Sequence, residues 1–361
     1  MLSNARNVAA TSYTWAEIAQ QPDIWPSTPE RIKSAMKELG LLKLLSGARI
    51  IVTGAGTSAY IASAIATAWP KATAVPSTDL LIDTERYIFE TDILISIGRS
   101  GNSPESLAVV DRVHALRPQI VHLAITCNSD GALANTSIVR PILLDPRTDD
   151  KSLVMTSSFS NLVLAGLCLA QEAAIDEALP SICDFAHAYF DEIDAATKRL
   201  ASKVRDRIVL LASSPLIAWT QEGSLKSLEM TAGRFPTLAE TYLGLRHGPM
   251  SFVRQDTVVL CLLSNDRYRR QYELDLVHEL RSKKLGYLAA IGAHTNEENL
   301  FDETIPAIAT TVADELRTPF EIVSPQLLGY HLSRRIGLDP DNPSESGIIT
   351  RVVQGVRIYK G

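Results

Sequence analysis

From Ala48 onward, short runs of β-branched and aliphatic residues alternate with longer segments whose apolar positions recur at helical spacing. Continuous apolar runs read as buried strands and a 3.6-residue recurrence as an amphipathic helix, so the alternation predicts βαβ units around a parallel sheet. Strands are expected at 49–53, 92–97, 120–126 and 138–144, with helices at 58–69, 104–116 and 156–173. Phe185, Tyr189, Ile193 and Ala196 then recur at helical spacing, which predicts a bridging helix over 180–200. A second cycle follows, with strands at 207–211, 257–263 and 286–291 and helices at 216–232, 267–284 and 318–336. Upstream, 13–43 reads as helical, with Trp15 and Trp25 as apolar anchors. The expected fold class is α/β: a helical arm (1–43), a first domain (44–178), a bridging helix (179–200) and a second domain (201–361), each domain a parallel sheet flanked by helices.

Composition narrows the function classes. A chain of 361 residues is long enough for two domains with separate cores, and 46% hydrophobic with 21% charged residues is an ordinary globular balance without disorder. The formal net charge of −6 leaves no general basic field for a nucleic acid, so no DNA or RNA partner is expected. Cys127, Cys168, Cys183 and Cys261 are scattered, with no CxxC spacing and no histidine cluster, so buried reduced thiols are expected and no metal site. The first 21 residues show no apolar core behind a basic start, and the longest apolar stretch, 162–170, is too short to span a bilayer. A cytoplasmic protein without membrane attachment is the expectation.

The candidate chemistry begins at Gly54-Ala55-Gly56-Thr57-Ser58, placed between an expected strand and helix. Glycines there permit a tight turn, and the unpaired N–H groups of a helix start suit an anion such as phosphate. The same residues through Ala59 also fit a GxGxxA dinucleotide fingerprint, with Asp79 roughly where a ribose-binding acid would stand. A second loop, Gly98-Arg99-Ser100-Gly101-Asn102-Ser103-Pro104-Glu105, follows the next strand and opens the next helix. Two hydroxyl-rich loops at adjacent strand ends favour one anion pocket, in which Ser58, Ser100 and Ser103 donate to phosphate oxygens without a lysine or metal.

The loop pair resembles the phosphosugar signature of the SIS (sugar isomerase) domain family. Val52–Ser58, Ile97–Ser106, Ile125-Thr126-Cys127-Asn128 and Met155-Thr156-Ser157-Ser158 are similar to its amino-sugar-phosphate deaminase/isomerase branch, along most of the chain from Trp25 to Val356. The resemblance implies two SIS domains, each a flavodoxin-like three-layer sandwich. It implies galactosamine 6-phosphate as substrate and tagatose 6-phosphate and ammonia as products. It also implies a phosphate site built from Gly56, Thr57, Ser58, Arg99, Ser100, Gly101, Asn102 and Ser103. The second domain has Ala212-Ser213-Ser214-Pro215-Leu216 at the first loop, without glycines, so phosphate is expected on the first domain only.

Glu222, Lys226 and Glu229 fall at i, i+4 and i+7, hence on one helix face, beside Leu225, Leu228 and Ala232. By pattern alone this is a solvated face with a Glu-to-Lys pair. The run Glu222–Glu229 resembles the catalytic helix of the isomerase domain of glucosamine-6-phosphate synthase, which implies that Glu229 moves the proton between C1 and C2, supported by Lys226 and Glu222. Leu245-Arg246-His247-Gly248-Pro249 resembles the family's histidine loop, which implies that His247 opens the sugar ring, and in relatives it can come from a neighbouring subunit. A homodimer or higher homo-oligomer with shared active sites is therefore expected. The other six histidines read as structural.

Departures from the synthase point away from amination. The stretch 339–351 holds no lysine to form a Schiff base, Lys360 is displaced, and no glutaminase nucleophile is present. Gly98 stands where the synthase has a serine. A substrate already carrying its amine at C2 needs neither, and no cofactor is expected. The alternatives are ketose/aldose isomerisation without ammonia release and a non-catalytic sugar-phosphate-binding regulator; the latter would lack a use for Glu229 together with His247 and would need a basic DNA-binding unit.

Overall fold

The computed structural model describes residues 12–344, 346–353 and 355–359, so Lys360, Gln354 and the first 11 residues, on which parts of the sequence reading fall, lie outside the described residues. Among the described residues, five parallel strands form a first sheet: β1 (Ile50–Gly54), β2 (Ala72–Pro76), β3 (Ile93–Gly98), β4 (Val121–Thr126) and β5 (Val139–Leu143). Five more form a second: β6 (Ile208–Leu211), β7 (Thr237–Glu240), β8 (Val258–Leu262), β9 (Tyr287–Ile291) and β10 (Glu303–Ile305). The strand orders are β2-β1-β3-β4-β5 and, from the matching edge, β7-β6-β8-β9-β10. Both are the doubly wound 2-1-3-4-5 order, which bears out the α/β expectation. Winding reverses between β1 and β3, and between β6 and β8, and connections leaving in opposite directions open a crevice at those carboxyl ends.

Central strands are buried on both faces, as parallel strands covered by helices must be. Every residue of β1, β6 and β8 is buried. Ile51 and Leu94 pack with Val109 and Val113 in the first core, and Val209 and Val259 with Leu276 and Leu280 in the second. Three strands that the hydrophobic pattern did not predict, β2, β7 and β10, all stand at sheet edges and are only partly buried. An edge strand needs no unbroken apolar run, so its pattern is weak.

By contacts the chain forms two compact units. Among the described residues, the first sheet lies in 20–179 with the C-terminal residues from 347, and the second in 180–346 with 12–19. The ends of the chain therefore group differently from the expected arm and tail. In the second unit the Asp341 carboxylate accepts from the Thr14 amide and the Ser12 hydroxyl, each at 2.8 Å, capping the helix Tyr13–Ala19. In the first unit the Arg351 guanidinium donates to the Asp150 carbonyl at 2.7 Å and pairs with Asp149. Helical segments run through Ser157–Lys203 with a break at Gln171, so the interruption falls before Pro180 rather than at it. Trp25 is fully buried and its indole donates to Ser160 at 3.0 Å, whereas Trp15 is half-buried, edge-on to Phe190. All four cysteines are free and buried. No helix among the described residues is long and apolar enough to cross a membrane.

His122 on β4 is 2% exposed and neither ring nitrogen has a hydrogen-bond partner. Burial first, and the nearby His114 second, lower its pKa to about 4. An unfolded histidine titrates near 6.5, so the unfolded chain takes the proton first as pH falls. Stability contributed by neutral His122 is thus complete above about pH 6.5 and lost between about 6.5 and 4. Urea unfolding of the wild type against His122→Leu across that window should show the wild type losing up to about 3 kcal/mol relative to the variant. Parallel pH profiles would contradict this.

Candidate active site

The first unit's crevice is built by two strand-to-helix loops. β1 ends at Gly54 and the helix Thr57–Ala68 begins almost at once. A Cβ on Gly54 would stand 2.5 Å from the Ser58 Cβ, so only glycine lets the helix start approach the strand end this closely. β3 ends at Gly98 and its loop leads into the helix Pro104–Leu116. That loop is tied down from β4: the Thr126 hydroxyl donates to the Arg99 carbonyl and the Asn128 amide to the Ser100 carbonyl, each at 3.2 Å. Neither helix receives a side-chain cap at its N-terminus, leaving that end available to an anion.

The two loops line one cavity of about 180 Å³. Gly56, Ser58, Arg99, Ser100, Gly101 and Ser103 all contribute to its wall, so six of the eight expected phosphate-site residues are brought together. Thr57 and Asn102 are not part of the wall; the Asn102 side chain instead accepts from the Ala132 amide at 2.9 Å. The Ser103 hydroxyl donates to Glu105 at 2.8 Å. The Arg99 guanidinium is 5% exposed and donates to the carbonyls of Ser152, Leu153 and Val154 and, at 3.0 Å, of Arg351. Its charge holds two wall segments together rather than standing free in the cavity.

In the second unit, the helix Ile217–Met230 reverses the usual amphipathic arrangement. Glu222 and Lys226 are fully buried, while Leu228 is 41% exposed. Lys226 Nζ lies 3.2 Å from Glu222 and 2.6 Å from Glu229, whose side chain is 22% exposed. The charged face that pattern alone assigns to solvent is therefore the buried one. Glycine makes this possible: a Cβ on Gly223 would lie 2.6 Å from Leu210, and one on Gly329 3.2 Å from the Lys226 carbonyl, so the helix sits tightly on β6 and on the helix Val323–Arg335. The Ser224 hydroxyl donates to Thr237 of β7 at 2.6 Å. Burial opposes the charge of Lys226, but Glu222 and Glu229 outweigh it and raise its pKa above the ordinary lysine value. A carboxylate with access to solvent is thereby held against a fixed ammonium.

His247 is exposed, and no hydrogen bond joins its imidazole to the Glu229 cluster among the described residues. Arg246 pins the loop to the helix Arg267–Ser282 through Asp275 at 2.7 Å and Glu279 at 2.8 Å.

Residues 43–170 match the SIS domain. D-galactosamine-6-phosphate deaminase AgaS of Shewanella sp. (strain ANA-3) is 36% identical over 364 residues, spanning 96% of this chain and 92% of that protein. The protein of the same name from Escherichia coli O157:H7 is 34% identical over 380 residues, 99% of each chain. The chain belongs to the SIS-domain family, in its AgaS branch. Among solved structures, the tagatose-6-phosphate ketose/aldose isomerase of Escherichia coli superposes with a TM-score of 0.86 at 31% identity, covering 98% of both chains.

This SIS-domain protein also has cavity residues that the motif reading missed: Ser106, Met155 and Arg351–Val353. Ser106 was within reach, because a hydroxyl in the first turn of the helix after Ser103 is where an anion site recruits donors. Arg351 was not, since its place depends on a bond to Asp150, 201 residues away.

Removing the ammonium from the buried cluster leaves Glu222 without its fixed counter-charge. Lys226→Met should destabilise the protein by about 3–5 kcal/mol in urea unfolding at pH 7, whereas Glu229→Gln, at the accessible end, should cost far less. Equal losses for the two would mean that the pair is not a buried ionic unit.

Proposed function

We propose that this protein is a cytoplasmic amino-sugar-phosphate deaminase/isomerase that converts galactosamine 6-phosphate and water to tagatose 6-phosphate and ammonia. The observation that carries the reading is Glu229: a carboxylate partly open to solvent, 2.6 Å from a fully buried ammonium, on the helix where the family's proton-transfer base stands. The names of relatives matching nearly end to end at 34–36% identity supply the substrate class.

In this reading the glycine loops hold the 6-phosphate through backbone N–H groups and the hydroxyls of Ser58, Ser100 and Ser103, while Arg99 keeps the cavity walls in register. His247 moves the anomeric proton as the ring opens. Glu229 then takes the proton from C2, giving an enolamine, and returns it to C1, giving a 2-imine that water hydrolyses to ketose and ammonia. Lys226 orients Glu229 from 2.6 Å, and Glu222 fixes Lys226. The carboxylate and imidazole suffice for these transfers, so no metal or organic cofactor is required. The exposure of His247 supports its donation to a neighbouring subunit in a homodimer. A second reading, isomerisation without ammonia release, is favoured by the isomerase name of the superposed E. coli structure.

Purified protein incubated with galactosamine 6-phosphate and, separately, glucosamine 6-phosphate should release ammonia and ketose phosphate in equal amounts from the galacto substrate, with activity surviving EDTA. Ketose without ammonia from an aldose phosphate would select the second reading, and no turnover of any phosphosugar would remove both. Glu229→Gln should lower kcat by about 10²–10⁴ with KM nearly kept. Mixing it with inactive His247→Asn protein should restore part of the activity through hybrid dimers; subunit exchange without recovery would mean that each chain uses its own histidine.

A further inference from the structure

Both sheets open a crevice between their first and third strands, yet the two crevices are filled differently. In the first unit it is the 180 Å³ cavity. In the second, the loops after β6 and β8 present donors that converge on one side chain: the Ser213 hydroxyl donates to Glu273 Oε1 at 2.6 Å, and the Ser264 amide N–H to Oε2 at 2.8 Å. Glu273 is fully buried. It is the seventh residue of the helix Arg267–Ser282. The seventh residue of the corresponding first-unit helix, Pro104–Leu116, is Val110, which packs among Ala124, Leu133 and Val139 and sends nothing polar toward the strand ends.

The charged neighbours around Glu273 are already paired with one another, Arg317 also with Glu321 at 3.4 Å. Arg270, one turn earlier, donates to the Ser264 carbonyl at 2.9 Å and pairs with Glu297 at 2.5 Å. Asp314 takes the Ser264 hydroxyl and, at 2.9 Å, the Asn265 amide, and is paired in turn with Arg317 and Arg269. The Ser213 hydroxyl and the Ser264 amide are thus the donors left for whatever occupies the crevice. Burial raises the Glu273 pKa to about 7 although both hydrogen bonds lower it, as expected of a carboxylate shut away from water.

We propose that the second unit retains a latent oxyanion site of the phosphate class, closed by the chain's own Glu273 carboxylate, so that each chain takes one phosphate group and not two. This rests on the reading of the first-unit cavity as a phosphate site.

Equilibrium dialysis with labelled inorganic phosphate tests it. The wild type should saturate at one phosphate per chain, and Glu273→Ala, which removes the internal anion and uncovers Ser213 and Ser264, at two. Ser100→Ala should weaken the first-unit site by roughly ten- to a hundredfold and leave the site created by Glu273→Ala untouched. Glu273→Val, which copies Val110, serves as the second variant, and phosphate at about ten times its Kd should raise the melting temperature of either variant by roughly 3–6 °C more than that of the wild type, against chloride at equal ionic strength. This readout applies even where a variant is destabilised. Two phosphates on the wild type, or no added phosphate and no extra thermal rise in both variants, would overturn the latent site. A second site that appears on Glu273→Ala while Ser100→Ala leaves wild-type phosphate binding unchanged would instead remove the first-unit assignment.

Discussion

Parallel pairing of β1 between β2 and β3 is the constraint from which the rest follows. A strand with parallel neighbours on both sides must send its connections over opposite faces of the sheet, and the two loops that begin those connections cannot close on each other. They part at the carboxyl ends of β1 and β3, where two helix N-termini face one small volume. The loops need little more than glycine and serine to use it, since partial positive charge comes from the backbone itself. A cavity walled in this way meets partial positive charge even though the chain's net charge is negative.

Chemistry beyond anion binding requires a different device. Burying Glu222 and Lys226 together forfeits their hydration, a penalty recovered only when the charges are paired at close range. The tight seating of the helix at Gly223 and Gly329 excludes water from one end of the cluster and leaves Glu229 at the other. A carboxylate so placed has one face fixed by an ammonium and the other open to a reactant, which is the arrangement the proposed proton transfer uses.

The two units complete equivalent places in one topology with different side chains. At the seventh position of the helix after the third strand, valine leaves the strand ends of the first unit open, and glutamate fills those of the second. Apolar packing and a buried carboxylate are alternative ways of completing the same crevice. In the segment Ala212–Leu216, which has no glycine, the Ser213 hydroxyl is taken by that carboxylate.

The sequence by itself determined the α/β class of parallel sheets flanked by helices, the central strands, the glycine and serine loops, and the helical spacing of Glu222, Lys226 and Glu229; the strand order came from the structure. These are local properties: apolar runs mark strands buried on both faces, and turn chemistry marks the strand ends. Edge strands β2, β7 and β10 escaped because partly exposed strands need no continuous apolar run, whereas the edge strand β5 was expected at 138–144. Only the tertiary structure decided which face of the helix Ile217–Met230 is buried, since that depends on what packs beneath Gly223 rather than on the helix's own pattern. The same holds for Arg99, whose guanidinium is claimed by carbonyls more than 50 residues away, and for the chain ends, placed by Asp341 and Arg351 through bonds spanning hundreds of residues. Interactions at that sequence distance leave no local periodicity, so they become legible only once the fold has brought the partners together.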